Sequence, residues 1–152
     1  MPAKPSHRFK QSAVVPYRKQ KGRIEILLIS NRSGSRWVIP KGLVARGMDS
    51  RTSAAKEALE EAGILGKVSR RRIGRYEYEK WGGVCRVTVF LMNVRTELPI
   101  WSEMSRLRRW VKVSKAARLV DERRLKKIIA KVPHLVSSSL ISLKRVDGYE
   151  RG

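Results

Sequence analysis

Apolar and polar positions change period several times along the chain, and each change marks a predicted element. Residues 9–19 and 23–30 read as two strands joined at Lys21-Gly22, the second rich in Ile and Leu. Asn31 to Ser35 is a polar loop, and Arg36 to Ile39 is a short strand that leads into Pro40. Over residues 51–62 the period becomes helical, with Ala55, Ala58, Leu59 and Ala62 gathered on one side as a buried stripe. Asp49 or Ser50 caps its start, and Gly63 supplies the left-handed residue that ends it. Residues 67–80 and 84–96 predict a long hairpin turned at Trp81-Gly82-Gly83. Pro99 to Arg106 is a loop and Arg108 to Val113 a strand. From Ser114 to Val132 the pattern is helical again, on Leu119, Leu125, Ile128 and Ile129, until Pro133 breaks it. The segment from His134 adds a further helix and then frays.

A chain of 152 residues, 41% of them hydrophobic, supports one domain with a genuine core. The expected organisation is a basic extension over residues 1–8, a single domain over 9–132 and a C-terminal extension over 133–152. No apolar run approaches the roughly 18 residues needed to span a membrane. The start, MPAKPSHRFK, has no apolar segment behind its charge and is not read as a secretory signal. Cys85, the sole cysteine, can form no internal disulfide, which agrees with a reducing compartment. The cytoplasm is the expected location, and a monomer or homodimer the expected state.

Charge narrows the choice of ligand. Against 35 Lys and Arg stand 13 Asp and Glu, a formal balance of +22, and the first 23 residues hold seven basic residues and no acidic one. Further clusters lie at Arg70-Arg71-Arg72, at Arg106-Leu107-Arg108-Arg109 and on Arg123-Arg124 with Lys126-Lys127. Such a field draws in polyanions: highly phosphorylated small molecules, and non-specifically nucleic acid.

In this basic setting, three of the few carboxylates crowd together at Glu57, Glu60 and Glu61. At about 100° per residue they fall within roughly 100° of one another on the predicted helix. Like charges on one helical face repel unless a cation sits among them. Magnesium or manganese suits an all-oxygen set completed by substrate phosphates.

The stretch from Arg36 to Ile64, RWVIPKGLVARGMDSRTSAAKEALEEAGI, resembles the signature of the Nudix hydrolases. Counting from Gly42, the register reaches Lys56, Glu57, Ala58, Glu60, Glu61, Gly63 and Ile64 without a gap. Met48 stands where the family has its first Glu, and Lys56 where it has Arg. These two are usually a supporting ion pair, so the metal face is kept while its scaffolding is altered; Asp49, one place along, partly replaces the missing carboxylate.

The resemblance covers about residues 9–131 and implies an α/β fold: a Nudix α/β/α sandwich with a mixed β-sheet. It is nearest to the diphosphoinositol polyphosphate phosphohydrolase and diadenosine polyphosphate hydrolase groups, through Arg36-Trp37, Pro40-Lys41-Gly42, Phe90-Leu91-Met92, and Arg106 with Arg109-Trp110-Val111. It implies hydrolysis of a phosphoanhydride bond, with Glu57, Glu60, Glu61 and the carbonyl of Gly42 holding Mg²⁺ or Mn²⁺. Glu57 or Glu60 would act as base, with Glu103 the alternative from outside the helix. Lys10, Arg18, Arg36 and Arg86 match basic positions that clamp phosphates, and Lys41 joins them in the Pro-Lys-Gly motif. Two other readings stand beside this one: action on the 5′ end of RNA, or simple RNA binding, and a phosphate-binding module that has lost its chemistry. Trp37, Tyr76, Tyr78, Trp81, Trp101 and Trp110 offer stacking surface for a base.

Overall fold

In the computed structural model, which describes residues 7–138, the chain forms one mixed sheet covered on both faces. Its strands are β1 (Arg8–Gln20), β2 (Arg23–Ser30), β3 (Trp37–Val38), β4 (Lys41–Leu43), β5 (Ile64–Val68), β6 (Gly74–Lys80), β7 (Gly83–Glu97) and β8 (Arg108–Lys112). β1 runs parallel to β7 along ten residue pairs, Arg8↔Val84 to Tyr17↔Asn93. It is antiparallel to β4 near its start and to β2 near its end. β8 pairs with β2, while β5 and β6 both pair with β7.

Successive strand residues face opposite ways, and here both faces are buried. Ala13 and Val15 of β1, with Ile26 and Leu28 of β2, enter one core with Leu125, Ile128 and Ile129. Val14, Leu27 and Ile29 enter the other with Ala54, Ala58 and Ala62. The expected α/β/α sandwich is therefore formed. The signature helix lies on one side; α2 (Val113–Leu119) and α3 (Arg123–Ala130) lie on the other. Two tight hairpins follow the predicted turns, with Lys21-Gly22 at φ 50° and 77° and Trp81-Gly82 at φ 56° and 68°. Positive φ at both central residues matches the right-handed twist of the flanking strands.

Several elements differ from expectation. The strand expected over 67–80 is two, β5 and β6, which take successive positions along the much longer β7; the connection between them carries Arg70-Arg71-Arg72. The helix expected over 114–132 is interrupted at Val120-Asp121-Glu122, where the Glu122 side chain accepts from the Arg124 N–H to start α3. Residues 132–138 are helical straight through Pro133. A proline in a first helical turn loses no intrahelical bond. The rest of the C-terminal extension, and residues 1–6, lie outside the described residues.

The signature helix also departs from the simple pattern. It is α-helical over Ser50–Glu57 (α1), capped by Asp49, and widens into a π-helical turn over Ala58–Ala62. The buried apolar residues are Ala54, Ala58 and Ala62; Ala55 is half-buried, and Leu59 is 37% exposed rather than part of the stripe. Spacing of four drifts by about 40° in an α-helix at about 100° per residue. A π turn, bonded i to i+5, rotates less per residue and takes that drift back. The same widening turns Leu59 outward and Glu61, 8% exposed, inward.

Candidate active site

The loop before the helix and the helix itself are held in register by two contacts. The Lys41 main-chain N–H donates to Glu61 Oε1 at 3.0 Å. Gly42 lies directly under Glu57: a Cβ there would stand 2.2 Å from the Glu57 carboxyl carbon. β4 fixes both residues, because Lys41 and Gly42 pair with Ala13 and Ser12 of β1. Gly42 shares a sheet face with Ser12, whose buried hydroxyl has no hydrogen-bond partner among the described residues.

Glu61 Oε2 accepts from Arg106 Nη2 at 3.3 Å. Burial pushes the Glu61 carboxyl up to about 7, with Glu57 and Glu103 adding to the rise against the pull of the Lys41 N–H and Arg106. Burial, then the charge of Glu60, also raises Glu57. Glu60 pairs with Lys56 at 3.7 Å on the surface. Asp49 is spent on the helix cap, accepting the Thr52 N–H at 2.7 Å, which holds its carboxyl below the usual range. Glu103 is bound on one oxygen by Arg106, at 3.1 Å from Nε and 3.0 Å from Nη2.

Among the described residues no three acidic, His or Cys side chains are drawn together as a ready-made cage. A magnesium ion does not require one, since it usually takes one or two carboxylates and completes its shell with water and phosphate oxygens. The donors fit that pattern: mutually repelling carboxylates destabilised as anions, an unpartnered hydroxyl, and a backbone strand lying against Glu57.

The expected phosphate clamp is only partly assembled. Lys41 turns its ammonium to the other sheet face, 4.2 Å from the centre of the Tyr78 ring, and burial followed by the charge of Lys80 lowers its pKa. It lines a cleft of about 310 Å³ with Arg36, Trp37, Tyr76, Tyr78 and Leu125. Arg36 reaches Asp121 at 3.5 Å, both well exposed. Lys10 and Arg86 are register partners on β1 and β7. Arg86, bonded to Glu77 at 2.9 Å, lines a polar cleft of about 430 Å³ with Arg75 and Arg124. The two clefts share Tyr76 and Glu122.

Arg18 stands apart. Six residues beyond Ser12, it lies about 20 Å along the strand at about 3.3 Å per residue. It pairs with Glu25 at 2.9 Å and covers the Trp110 ring at 4.2 Å. Of the aromatics, Trp37, Tyr76 and Tyr78 meet in the cleft. Trp81 packs edge-on to Phe9, and Trp101 lies beneath the Arg108 guanidinium.

Arg106 is the residue whose place the sequence did not reveal. It reads as part of a surface cluster but is 8% exposed. Its neighbour Arg108 donates to the carbonyls of Ala62 and Leu98. The only signal was its match to the family pattern.

A mixed sheet between two helical layers, with a loop held against the carboxylate helix, is the arrangement of the Nudix fold. The NUDIX domain family matches residues 8–132, and the chain belongs to that family. It is 30% identical over 131 residues to Nudix hydrolase 13, mitochondrial, of Arabidopsis thaliana, covering 71% of this chain and 65% of the relative. It is 28% identical over 115 residues to diphosphoinositol polyphosphate phosphohydrolase 3-beta of Bos taurus, covering 74% and 69%. The chain spans between about half and two thirds of the length of the Arabidopsis relatives, 56% for Nudix hydrolase 16. Its fold matches that of the C. elegans Ap4A hydrolase, with a TM-score of 0.66 at 23% identity over 86% of this chain and 99% of that one. Among the described residues no helix is long and apolar enough to cross a membrane.

The raised Glu61 carboxyl has a consequence for stability. A group whose pKa is higher folded than unfolded stabilises fully below its unfolded value, near 4.5, and loses that contribution as pH rises through about 7. The metal-free protein is therefore expected to melt lower at pH 8 than at pH 5.5, and Glu61→Gln to flatten that slope. Added Mg²⁺ should raise the melting temperature more at pH 8. An equal slope in wild type and variant would show that Glu61 ionises as an ordinary carboxylate.

Proposed function

We propose that this protein is a metal-dependent hydrolase that cleaves a phosphoanhydride bond in a highly phosphorylated small molecule, a dinucleoside polyphosphate or an inositol pyrophosphate. The observation that carries this is the double lock of the signature, Lys41 N–H on Glu61 and Gly42 beneath Glu57. Glu57, Glu60, Glu61 and the Gly42 carbonyl would hold Mg²⁺ or Mn²⁺. Such ions, when bound, would lower the pKa of water and offset the charge of the leaving phosphate. Glu57 or Glu60 would take the proton of the attacking water; burial raises the Glu57 carboxyl, which makes it a better proton acceptor than an ordinary carboxylate. Glu103, held by Arg106, is the weaker candidate. Arg36, Lys41 and Arg86, which line the two clefts, and Lys10 beside Arg86 would hold the outlying phosphates of the substrate. Positioning and electrostatics then supply most of the acceleration of a loose transition state. Arg18, engaged with Glu25 and Trp110, is left out of this clamp.

The aromatic cleft favours the dinucleoside polyphosphate. Its tyrosine and tryptophan walls offer stacking to a base, whereas an inositol ring bearing phosphates all round calls for cations on every side. The two phosphate-rich classes are also those named for the bovine relative and the C. elegans structure. We place the protein in the cytoplasm, although the Arabidopsis relatives above are named as mitochondrial; cell fractionation decides this.

A magnesium-dependent phosphate-release panel tests the substrate. It covers dinucleoside polyphosphates, inositol pyrophosphates, nucleoside triphosphates, sugar nucleotides and triphosphorylated RNA. The highest kcat/KM is expected on dinucleoside polyphosphates. Turnover of sugar nucleotides or single nucleotides alone would overturn the charged clamp. Fast pyrophosphate removal from RNA would establish the RNA reading instead.

A further inference from the structure

We propose that Arg106 is a positioning residue that orients Glu61 and ties the 98–108 segment to the carboxylate turn; this rests on the reading of Glu61 as a metal ligand. Its guanidinium is buried and spans three elements. Nη2 meets Glu61 on the helix at 3.3 Å and Glu103 in the loop at 3.0 Å, while Nη1 donates to the Ser30 carbonyl of β2 at 3.2 Å. A planar fork with donors on several edges can hold these acceptors together; an ammonium on a flexible stem cannot fix the same geometry.

The loop that Arg106 anchors also closes the end of the helix. The last carbonyls of a helix lack intrahelical partners. Here four in succession are bound by one segment: Glu103 N–H to Glu60 at 3.0 Å, Trp101 Nε1–H to Glu61 at 3.1 Å, Arg108 Nη1–H to Ala62 at 3.2 Å and Leu98 N–H to Gly63 at 2.7 Å. The π turn carrying Glu60 and Glu61 is thus clamped through both its backbone and a side chain. Each oxygen of Glu61 has one protein donor, Lys41 N–H on Oε1 and Arg106 on Oε2, so each keeps a lone pair for a metal. Neither basic residue of the helix can substitute: Lys56 makes only a long, exposed pair with Glu60, and Arg51 donates to the Val68 and Ser69 carbonyls.

Arg106→Lys and Arg106→Ala test this, alongside wild type and Glu61→Gln. Three quantities are read: kcat and KM on the best substrate of the panel, the Mg²⁺ midpoint from thermal shift, and Mn²⁺ binding by electron paramagnetic resonance without substrate. Outer-shell partners of metal ligands typically carry about 10–100-fold in affinity or activity. In Arg106→Lys, kcat is expected to fall and the metal midpoint to rise by about that factor, with KM changed by less than about threefold. A purely structural role would lower the melting temperature equally with and without Mg²⁺ and leave kcat intact well below it. Arg106→Lys with kcat and metal midpoint within about twofold of wild type, or unable to fold, would overturn the proposal. If Glu61→Gln itself matches wild type in hydrolysis and metal response, the functional reading fails first. If Glu61→Gln collapses and Arg106→Lys does not, only the role of Arg106 falls.

Discussion

Replacing Glu61 with Gln should lower Mg²⁺-dependent phosphate release on the order of 10³-fold, about 4 kcal/mol in the barrier, while leaving the protein folded. The side chain keeps its shape, but an amide has one acceptor oxygen where a carboxylate has two. It can serve the Lys41 N–H or the Arg106 guanidinium, not both, and one buried donor is left short. Against that loss stands relief from burying a charge, the same burial that pushes the Glu61 carboxyl up. The two effects on stability oppose one another, whereas the effect on metal binding has nothing to offset it. Circular dichroism and melting with and without Mg²⁺ separate the two. Hydrolysis unchanged in the purified variant would show that these carboxylates are not catalytic; no hydrolysis in wild type or variant would make the chain a phosphate-binding module without chemistry.

What was legible in the sequence follows a physical divide. Hairpin turns at Lys21-Gly22 and Trp81-Gly82 are written locally, in a glycine that takes positive φ at no steric cost, and were readable. The helix cap at Asp49 and stop at Gly63 were readable for the same reason. Features created by distant partners were not. β4 is three residues long and exists because β1 pairs with it. The π turn leaves no mark beyond the four-residue spacing of Ala54, Ala58 and Ala62, which a strict α-helical count does not select. The break at Val120–Glu122 is set by Val120 entering the core, and it puts Asp121 and Glu122 at the aromatic cleft. Arg106 is the clearest case. Besides Glu103, three residues back, its acceptors lie 45 and 76 residues away, so a basic run that looks like solvated surface becomes, on folding, the centre of a buried network. Arg18 is the converse: it matches a phosphate-clamping position, yet strand geometry carries it to the far end of β1.

Gly42→Ala is expected to separate chemistry from stability. The backbone there has no need of glycine on conformational grounds, because its φ is not among the positive values. Space is the constraint, with an added Cβ lying 2.2, 2.4 and 2.6 Å from the three carboxyl atoms of Glu57. Those atoms are the end of a flexible side chain, so Glu57 can swing away at little cost to the fold. In doing so it leaves the position from which it would reach a metal or a water. The expected outcome is a loss of roughly 10²-fold in kcat with a weakened Mg²⁺ response, and a melting temperature within a few degrees of wild type. Gly63→Ala supplies the contrast. That residue sits at φ 63°, and its Cβ would meet the Trp101 ring at 2.7 Å. Both the left-handed backbone and the packed indole resist a side chain, so this variant should lose about 1–2 kcal/mol of stability or more. Steady-state kinetics and thermal melting on the pair distinguish the two outcomes. Gly42→Ala with wild-type kcat would mean that Glu57 does its work elsewhere or not at all, and the close approach of β4 to the helix would then be packing alone.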